Sequence, residues 1–399
     1  MSGPLLMTFN AGSSSVKIGL FSIEGDRLDR IAHALIDFRQ SPLTFHLVEG
    51  KAVFDVELKA DHADHLVDVM TETLDWISEH YDLSELSCVG HRVVHGGDEF
   101  DGPVLIDDSS LARIEALSIL APLHQPQALR LIRAMREVRP DLVQVASFDT
   151  VFHRTNPDLI RRFALPRALH DRGIKRYGFH GLSYKFIAAE LRRQFPEAAA
   201  GRVIAAHLGS GASLCAMLDG KSQDNSMGFS TIDGVPMATR CGALDPGVIL
   251  HLLQQEHRPT GEVENMLYHQ SGLKGVSGGI SADCRELQAS DDPRAKEALD
   301  LFTLRIAGEI GRLAMSIGGL DALVFTAGIG ENDAMIRAAV ATRLGWMGLT
   351  LSDEANQKNA TCISTPDSQV KAFVIPADEE RVIANEAGLI LNREGRAPI

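Results

Sequence analysis

The chain has 399 residues, 45% of them hydrophobic and 23% charged, with 35 glycines against 16 prolines, a composition that excludes disordered and collagen-like chains. Single hydrophobic cores stop growing near about 250 to 300 residues, so two domains are expected. The balance of 39 basic and 53 acidic side chains, a net charge of −14, argues against a nucleic-acid partner, and any anionic ligand has to be captured by local cations and backbone amides.

Residues 5–9 read as an apolar strand, 10–15 (NAGSSS) as a small polar loop and 16–21 as a second strand. Leu66, Met70, Leu74, Ile77 and Tyr81 recur at helical spacing, and a second helix is expected over about 126–138. A strand at 142–147 runs into Asp149, and a helix follows at about 183–195. The strand, loop and strand grammar returns at 203–207, 208–213 (LGSGAS) and 214–218, closed by an Asp219-Gly220 turn. A strand at 323–326 precedes a Gly loop and a helix from Asp333, and residues 379–392 have helical periodicity.

Short strands alternating with helices argue for an α/β fold with mixed sheets. Two strand–loop–strand units half a chain apart suggest a duplicated fold, with the domain boundary between residues 149 and 155. The five cysteines (Cys88, Cys215, Cys241, Cys284 and Cys362) are odd in number and form no C-x-x-C pair, which fits a reducing cytosol. The N-terminal residues carry no basic leader, and the apolar stretch 313–329 is broken by Asp321 and glycines, so neither an export signal nor a membrane span is expected.

The loop Asn10–Ser15 with Lys17 offers a glycine, three hydroxyls, successive amides and a cation, enough to cradle an oxyanion. Alone it reads equally as a Ser-rich turn, and it lacks the Gly-Lys-Ser/Thr ending of a Walker A loop. Two more Gly-rich segments follow apolar strands, His207 to Ser213 and Gly328-Ile329-Gly330-Glu331-Asn332, and the latter is expected to open a helix whose N-terminus favours anions. Together they point to a bound nucleotide or polyphosphate. The segment 275–285 could add a fourth wall, with Asp283 for a ribose hydroxyl and Arg285 for stacking or phosphate contact. Arg92 (GHRVVHGG) and Arg240 (MATRCGALDPG) sit in Gly-rich surroundings that suit bidentate recognition of carboxylate or phosphoryl groups. His180 (RYGFHG) and His124 (APLHQP) lie in tight-turn contexts, and Asp149 directly follows a strand, where α/β sheets present functional carboxylates.

The strings TFNAGSSSVKIGLF, GHRVVHGGDEF, SFDTVFH, RYGFHGLS, AAHLGSGASL, GVSGGISADCREL, VFTAGIGEN and VIPADEERVIA resemble, in order and over nearly the whole chain, the acetate and propionate kinase family. That resemblance implies a duplicated ribonuclease-H-like fold shared with sugar kinases, actin and heat-shock chaperones, with an interdomain cleft. The expected domains are 1–150, joined by a C-terminal helix of about 383–399, and 151–382. It also implies a homodimer in the cytoplasm that uses ATP and Mg²⁺ (Mn²⁺ is possible) to phosphorylate acetate reversibly to acetyl phosphate. By resemblance, Asn10 and Glu379 hold the metal. Lys17, His207, Leu208, Gly209, Ser210, Gly211, Asp283, Cys284, Arg285, Gly328, Ile329, Gly330, Glu331 and Asn332 meet the nucleotide. Arg92 with Val94, Leu123 and Phe179 forms the acyl site, and Asp149, His180 and Arg240 join Arg92 in catalysis.

A carboxylic acid with a pKa near about 4 to 5 is already ionised at neutral pH, so no general base is required. Asp149 is therefore expected to orient an arginine or metal-bound water, although the family treats it as the acid. Three positions depart from the pattern: Ser210 replaces Asn, Thr231 replaces a Pro lining the acyl pocket, and Ala243 replaces Asp. Two alternatives follow, a propionate or butyrate kinase with the same mechanism and an ATP-binding protein that has lost turnover.

Overall fold

The computed structural model describes residues 3–12, 15–25, 27–38, 41–60 and 65–393. Ser13 and Ser14 of the first loop, and residues 394–399 of the expected C-terminal helix, lie outside these. Tertiary contacts divide the chain into one unit that ends at Val151 and takes in the segment from Asp378, and a second unit, Phe152–Ala377.

The first unit holds β1 (Leu5–Ala11), β2 (Ser15–Glu24), β3 (Arg27–Asp37), β4 (Thr44–Glu49), β5 (Ala52–Glu57), β6 (Leu86–Val93), β7 (Val104–Leu105) and β8 (Val143–Phe148). They form one sheet in the order β5-β4-β3-β2-β1-β6-β8-β7. β1 (LLMTFNA) is mostly apolar and buried from Leu5 to Asn10 because it is central and covered on both faces. It pairs antiparallel with β2 and parallel with β6, and β6 pairs parallel with β8. Of the stripe read from the sequence, the helix Leu66–Ser78 buries Met70, Leu74 and Ile77, with Val69 beside them, in a core shared with Phe9, Ile36 and Phe45, while Leu66 and Tyr81, the latter past the helix end, are half-buried against it. The helix Gln125–Val138 adds Leu131 and Met135 to the same core.

The final helix, Glu379–Arg393, packs on the first unit, where Ala384, Ala387 and Leu391 meet Leu6, Phe21, Cys88 and Val145. Gly90 makes that approach possible: a Cβ there would stand 2.6 Å from Ile383 Cγ2.

In the second unit, β9 (Arg202–Leu208), β10 (Ala212–Leu218), β11 (Lys221–Asn225), β12 (Ala322–Thr326) and β13 (Lys371–Val374) are ordered β11-β10-β9-β12-β13. β9 pairs antiparallel with β10 and parallel with β12, which pairs parallel with β13. This repeats the order β3-β2-β1-β6-β8 of the first unit, so the fold is the duplicated ribonuclease-H-like one. In the second unit the β9–β10 hairpin turns through the three residues 209–211.

The third Gly-rich segment differs from its expected form. It is not a loop opening a helix at Asp333 but a short helix of its own, Ala327–Asn332, followed by a separate helix Ala334–Arg343. Ala327, at φ 64, turns the chain after β12, and the fully buried Arg337 donates to the carbonyls of Gly330 at 2.9 Å and Glu331 at 3.0 Å, ending the helix there. All five cysteines are free. No helix among the described residues is long and apolar enough to cross a membrane.

Candidate active site

In the first unit the ends of β1, β6 and β8 bring four of the expected residues into one hydrogen-bonded network. Asp149 leaves β8 with its amide donating to Val93 O at 3.1 Å, and its side chain is 1% exposed. Its Oδ2 accepts from Arg92 Nε at 2.9 Å and Nη2 at 2.5 Å. Arg92 Nη1 donates to Ala11 O at 2.9 Å and to Asn10 Oδ1 at 3.4 Å. Asn10 Nδ2 in turn donates to Glu379 Oε2 at 2.8 Å and Glu380 Oε1 at 2.9 Å. Burial opposes the charge on Arg92, but the carboxylates of Asp149 and Glu379 outweigh it and hold its pKa above the ordinary guanidinium value.

Glu380 is a residue that sequence reading passed over. It follows Glu379 directly, reaches the same amide nitrogen, and lies 3.6 Å from Arg30, which also pairs with Asp378. Two carboxylates converging on one point beside an amide oxygen form the hard oxygen donor set that suits Mg²⁺. Lys17 is exposed and is the cross-strand partner of Asn10. Val94 is buried at the end of β6, whereas Leu123 is 40% exposed in the turn before the helix Gln125–Val138.

In the second unit His180 is the N-cap of the helix Gly181–Gln194, two residues earlier than the sequence suggests, with φ 57 in the left-handed region. Its ring stacks on His207 at 4.2 Å. His180 Nδ1 lies 2.8 Å from Ser213 Oγ, which lies 2.6 Å from the Tyr184 hydroxyl. His207 Nδ1 lies 2.9 Å from Ser183 Oγ. Ser183 and Tyr184 stand three and four places after His180, so one helical turn carries both partners, a helix-spacing signal that the motif reading did not use.

Arg240 Nη1 donates to Thr231 O at 2.7 Å. A Cβ on Gly211 would stand 2.7 Å from Arg240 Nη2 and 3.6 Å from His180 Nε2, so both side chains converge on that glycine. The Arg240 loop rests on Gly272, at φ 61, where a Cβ would stand 2.1 Å from Met237 O and 2.8 Å from Arg240 O.

The second and third Gly-rich segments are brought together, since Thr326 pairs with His207 and Gly330 approaches Ala206 O. Gln288 Nε2 donates to Asp333 Oδ2 at 2.8 Å and ties the segment after Asp283 to them. Asp283 caps the helix Cys284–Gln288 and accepts from Arg285 Nη2 at 2.5 Å, so the two side chains expected to reach the nucleotide are paired with each other. Cys284 is buried, with burial pushing its thiol up to about 12, which leaves only its backbone to meet a ligand. Leu208 and Phe179 are fully buried, while Ser210 is exposed.

A profile described as the acetokinase family matches residues 5–385. The chain is 46% identical over 389 residues to a protein named acetate kinase in Rhodopseudomonas palustris, covering 95% of this chain and 96% of that one. Among solved structures it is similar to a propionate kinase from Francisella tularensis, with a TM-score of 0.89, 36% identity and coverage of 96% of this chain and 98% of the other. It is also similar to acetate kinase from Porphyromonas gingivalis, with a TM-score of 0.87, 33% identity and coverage of 98% and 100%.

Proposed function

This chain belongs to the acetokinase family, and we propose that its two units divide the reaction, the first handling the carboxylate and the second the nucleotide. The reaction is the reversible transfer of the γ-phosphoryl group of ATP to acetate, giving acetyl phosphate and ADP. A carboxylate oxygen forms the new P–O bond while the bond to ADP breaks, and no proton has to be removed from the acid.

The observation that carries the reading is the network of Arg92, Asp149, Asn10 and Glu379. A guanidinium has five N–H donors, and four of those of Arg92 are engaged by Asp149, Ala11 and Asn10. The remaining Nη2 proton is available to a substrate carboxylate. Asp149 works as the orienting group, because its Oδ2 fixes both Nε and Nη2 of that fork. Asn10, Glu379 and Glu380 would hold Mg²⁺, which supplies charge neutralisation to phosphate oxygens when bound.

On the nucleotide side, the working arrangement in this reading has the Tyr184 hydroxyl donating to Ser213 and Ser213 to His180 Nδ1, the tautomer that carries its proton on Nε2. That N–H and the Arg240 fork, meeting at Gly211, supply donors for the charge on the transferring phosphoryl group. The segments at 207–211, 283–285 and 328–332 and Lys17 bind ATP. A cytoplasmic homodimer completes the reading. Five free cysteines suit a reducing compartment, and the exposed Leu244, just before the helix Pro246–Gln254, and Val248 and Leu250 on it are apolar side chains that a second copy could cover.

Propionate preference is the second reading, favoured by Thr231, whose carbonyl anchors Arg240. Acyl phosphate formation with acetate, propionate and butyrate, trapped as hydroxamate and ranked by kcat/KM, tests both. Acetate is expected to dominate. A longer acid in first place transfers specificity to the altered pocket, and silence with all three defeats the assignment. One methylene is worth about 1 to 3 kcal/mol, so the ranking is graded.

A further inference from the structure

His153 lies in the turn Val151–Thr155 and is 1% exposed. No role in the reaction has been given to it, yet its imidazole is built into the backbone that carries His180. Nε2 lies 2.9 Å from Phe179 O, and a carbonyl only accepts, so Nε2 carries the proton. Nδ1 lies 2.8 Å from Ser222 Oγ, which also reaches Asn156 Oδ1 at 2.7 Å and Cys215 Sγ at 3.3 Å. The ring is thus held at Nε2 by the bond it donates to Phe179 O, with Ser222, which donates to Asn156 Oδ1, lining its Nδ1 edge.

Its face is used as well. Gly178, at φ 85, lies against the ring so closely that a Cβ would stand 2.6 Å from Cγ and 2.7 Å from Cδ2. Gly178 and Phe179 are the two residues before His180, whose own φ of 57 is a conformation that non-glycine residues keep only when their surroundings over-determine it. Burial pushes the His153 pKa down to about 4, against the opposing pull of the Phe179 carbonyl and Asp224, so the ring is a neutral donor at neutral pH.

We propose that His153 is a positioning residue that fixes the strained Phe179–His180 backbone through the Phe179 carbonyl and so aims His180 Nε2 at the transferring phosphoryl group. This rests on the role given to His180 above. A misplacement of about 1 Å in a catalytic group costs on the order of 10²-fold in rate. Because the aim matters in the transition state more than in binding, kcat carries the loss and KM does not.

Four variants separate positioning from packing: His153→Leu, which keeps the volume and removes the donor, His153→Gln, whose amide N–H can replace Nε2–H, Ser222→Ala, which frees Nδ1, and His180→Ala. The hydroxamate assay and thermal melting are run on each full chain. The expected result is a drop of about 10²-fold in kcat for His153→Leu, unchanged KM for ATP and acetate, and recovery of most of that loss in His153→Gln. Wild-type kcat in His153→Leu overturns the proposal, as does equal loss in Leu and Gln or a parallel rise in both KM values. If His153→Leu does not fold, Ser222→Ala stands in for it: a fall in kcat at constant KM supports the proposal and wild-type kcat overturns it. Should His180→Ala keep full turnover, the role of His180 fails. Low turnover in His180→Ala beside wild-type His153→Leu defeats the positioning alone.

Discussion

In the first unit Arg92 meets Asp149, and Asn10 meets Glu379 and Glu380, at the ends of central strands. In the second, His180 meets the Ser213 hydroxyl, which in turn meets that of Tyr184, and Arg240 meets a carbonyl, on turns shaped by Gly211 and Gly272. One region is held by ion pairs on a rigid sheet, the other by hydrogen bonds to hydroxyls and a carbonyl and by backbone conformation. On the proposed reading the same type of residue has a different job in each: Arg92 would serve the fold as much as the site, whereas Arg240 would serve chiefly the site.

Arginine truncation is the strongest way to break that comparison. Arg92→Ala leaves a carboxylate that is 1% exposed without its cation, and breaking a buried pair costs about 3 to 5 kcal/mol. Melting and turnover are both expected to fall. Arg240→Ala is expected to lose about 10³-fold in turnover, by the scale of arginine fingers, with circular dichroism and melting close to wild type. Equal loss of stability in the two variants would erase the distinction between the regions. Gly272→Ala comes next: it drives a methyl group into Met237 O and strains a positive φ, so turnover drops through displacement of the Arg240 loop although no chemical group is lost. Wild-type turnover in this variant would show that the loop needs no such support.

The same division marks what was legible in the sequence. Strand ends could be read because a strand covered on both faces is a mostly apolar segment, and the polar residues at its end stand out; Asp149, just past β8, and Asn10, near the end of β1, stand at such ends. The β-order duplication was visible for the same reason in the two strand–loop–strand segments. Partners fixed by folding were not visible. Glu380 reaches Asn10 across some 370 positions of chain, and no local pattern marks it. The sequence of the helix Ala327–Asn332 reads as a loop because its glycines have low helix propensity, and the buried Arg337 that closes it lies on the next helix. Asp283 and Arg285, two residues apart at a helix start, are hydrogen-bonded to each other, a pairing that their spacing alone does not announce.

Acid provides a subtler contrast. Burial pushes His91 and His95 in the first unit, and His153 in the second, from 6.5 down to about 4. The folded chain keeps them neutral while the unfolded chain binds protons below pH 6.5, so stability is present above that pH and is lost as pH falls toward about 4. A tenfold difference in proton affinity between the two states is worth about 1.4 kcal/mol, and the first unit carries the larger share among the described residues. Trp76 packs on Phe45 and Phe54 in the first unit, whereas Trp346 is exposed in the second. In a Trp346→Phe variant, the emission of Trp76 should shift at a higher pH than the loss of far-ultraviolet circular dichroism. Coincident transitions would mean that the two units respond to acid as one.

The smallest expected effect concerns a group that neither kind of support reaches. Thr231 gives its carbonyl to Arg240, yet its own Oγ1 is buried without a hydrogen-bond partner. An unmet buried hydroxyl costs about 1 to 3 kcal/mol, and valine has the same shape without it. Thr231→Val should therefore raise the melting temperature of the ligand-free chain by the equivalent of about 1 kcal/mol, leaving the carbonyl and the Arg240 fork in place. If the hydroxyl is instead met by a bound acid, the same variant gains stability without ligand and loses kcat/KM with it, and the loss should fall on acids that carry a polar atom beside the carboxylate more than on acetate. A variant with unchanged melting and unchanged ranking of acids would leave the second region supported by backbone alone, with the side chain at 231 making no contribution to it.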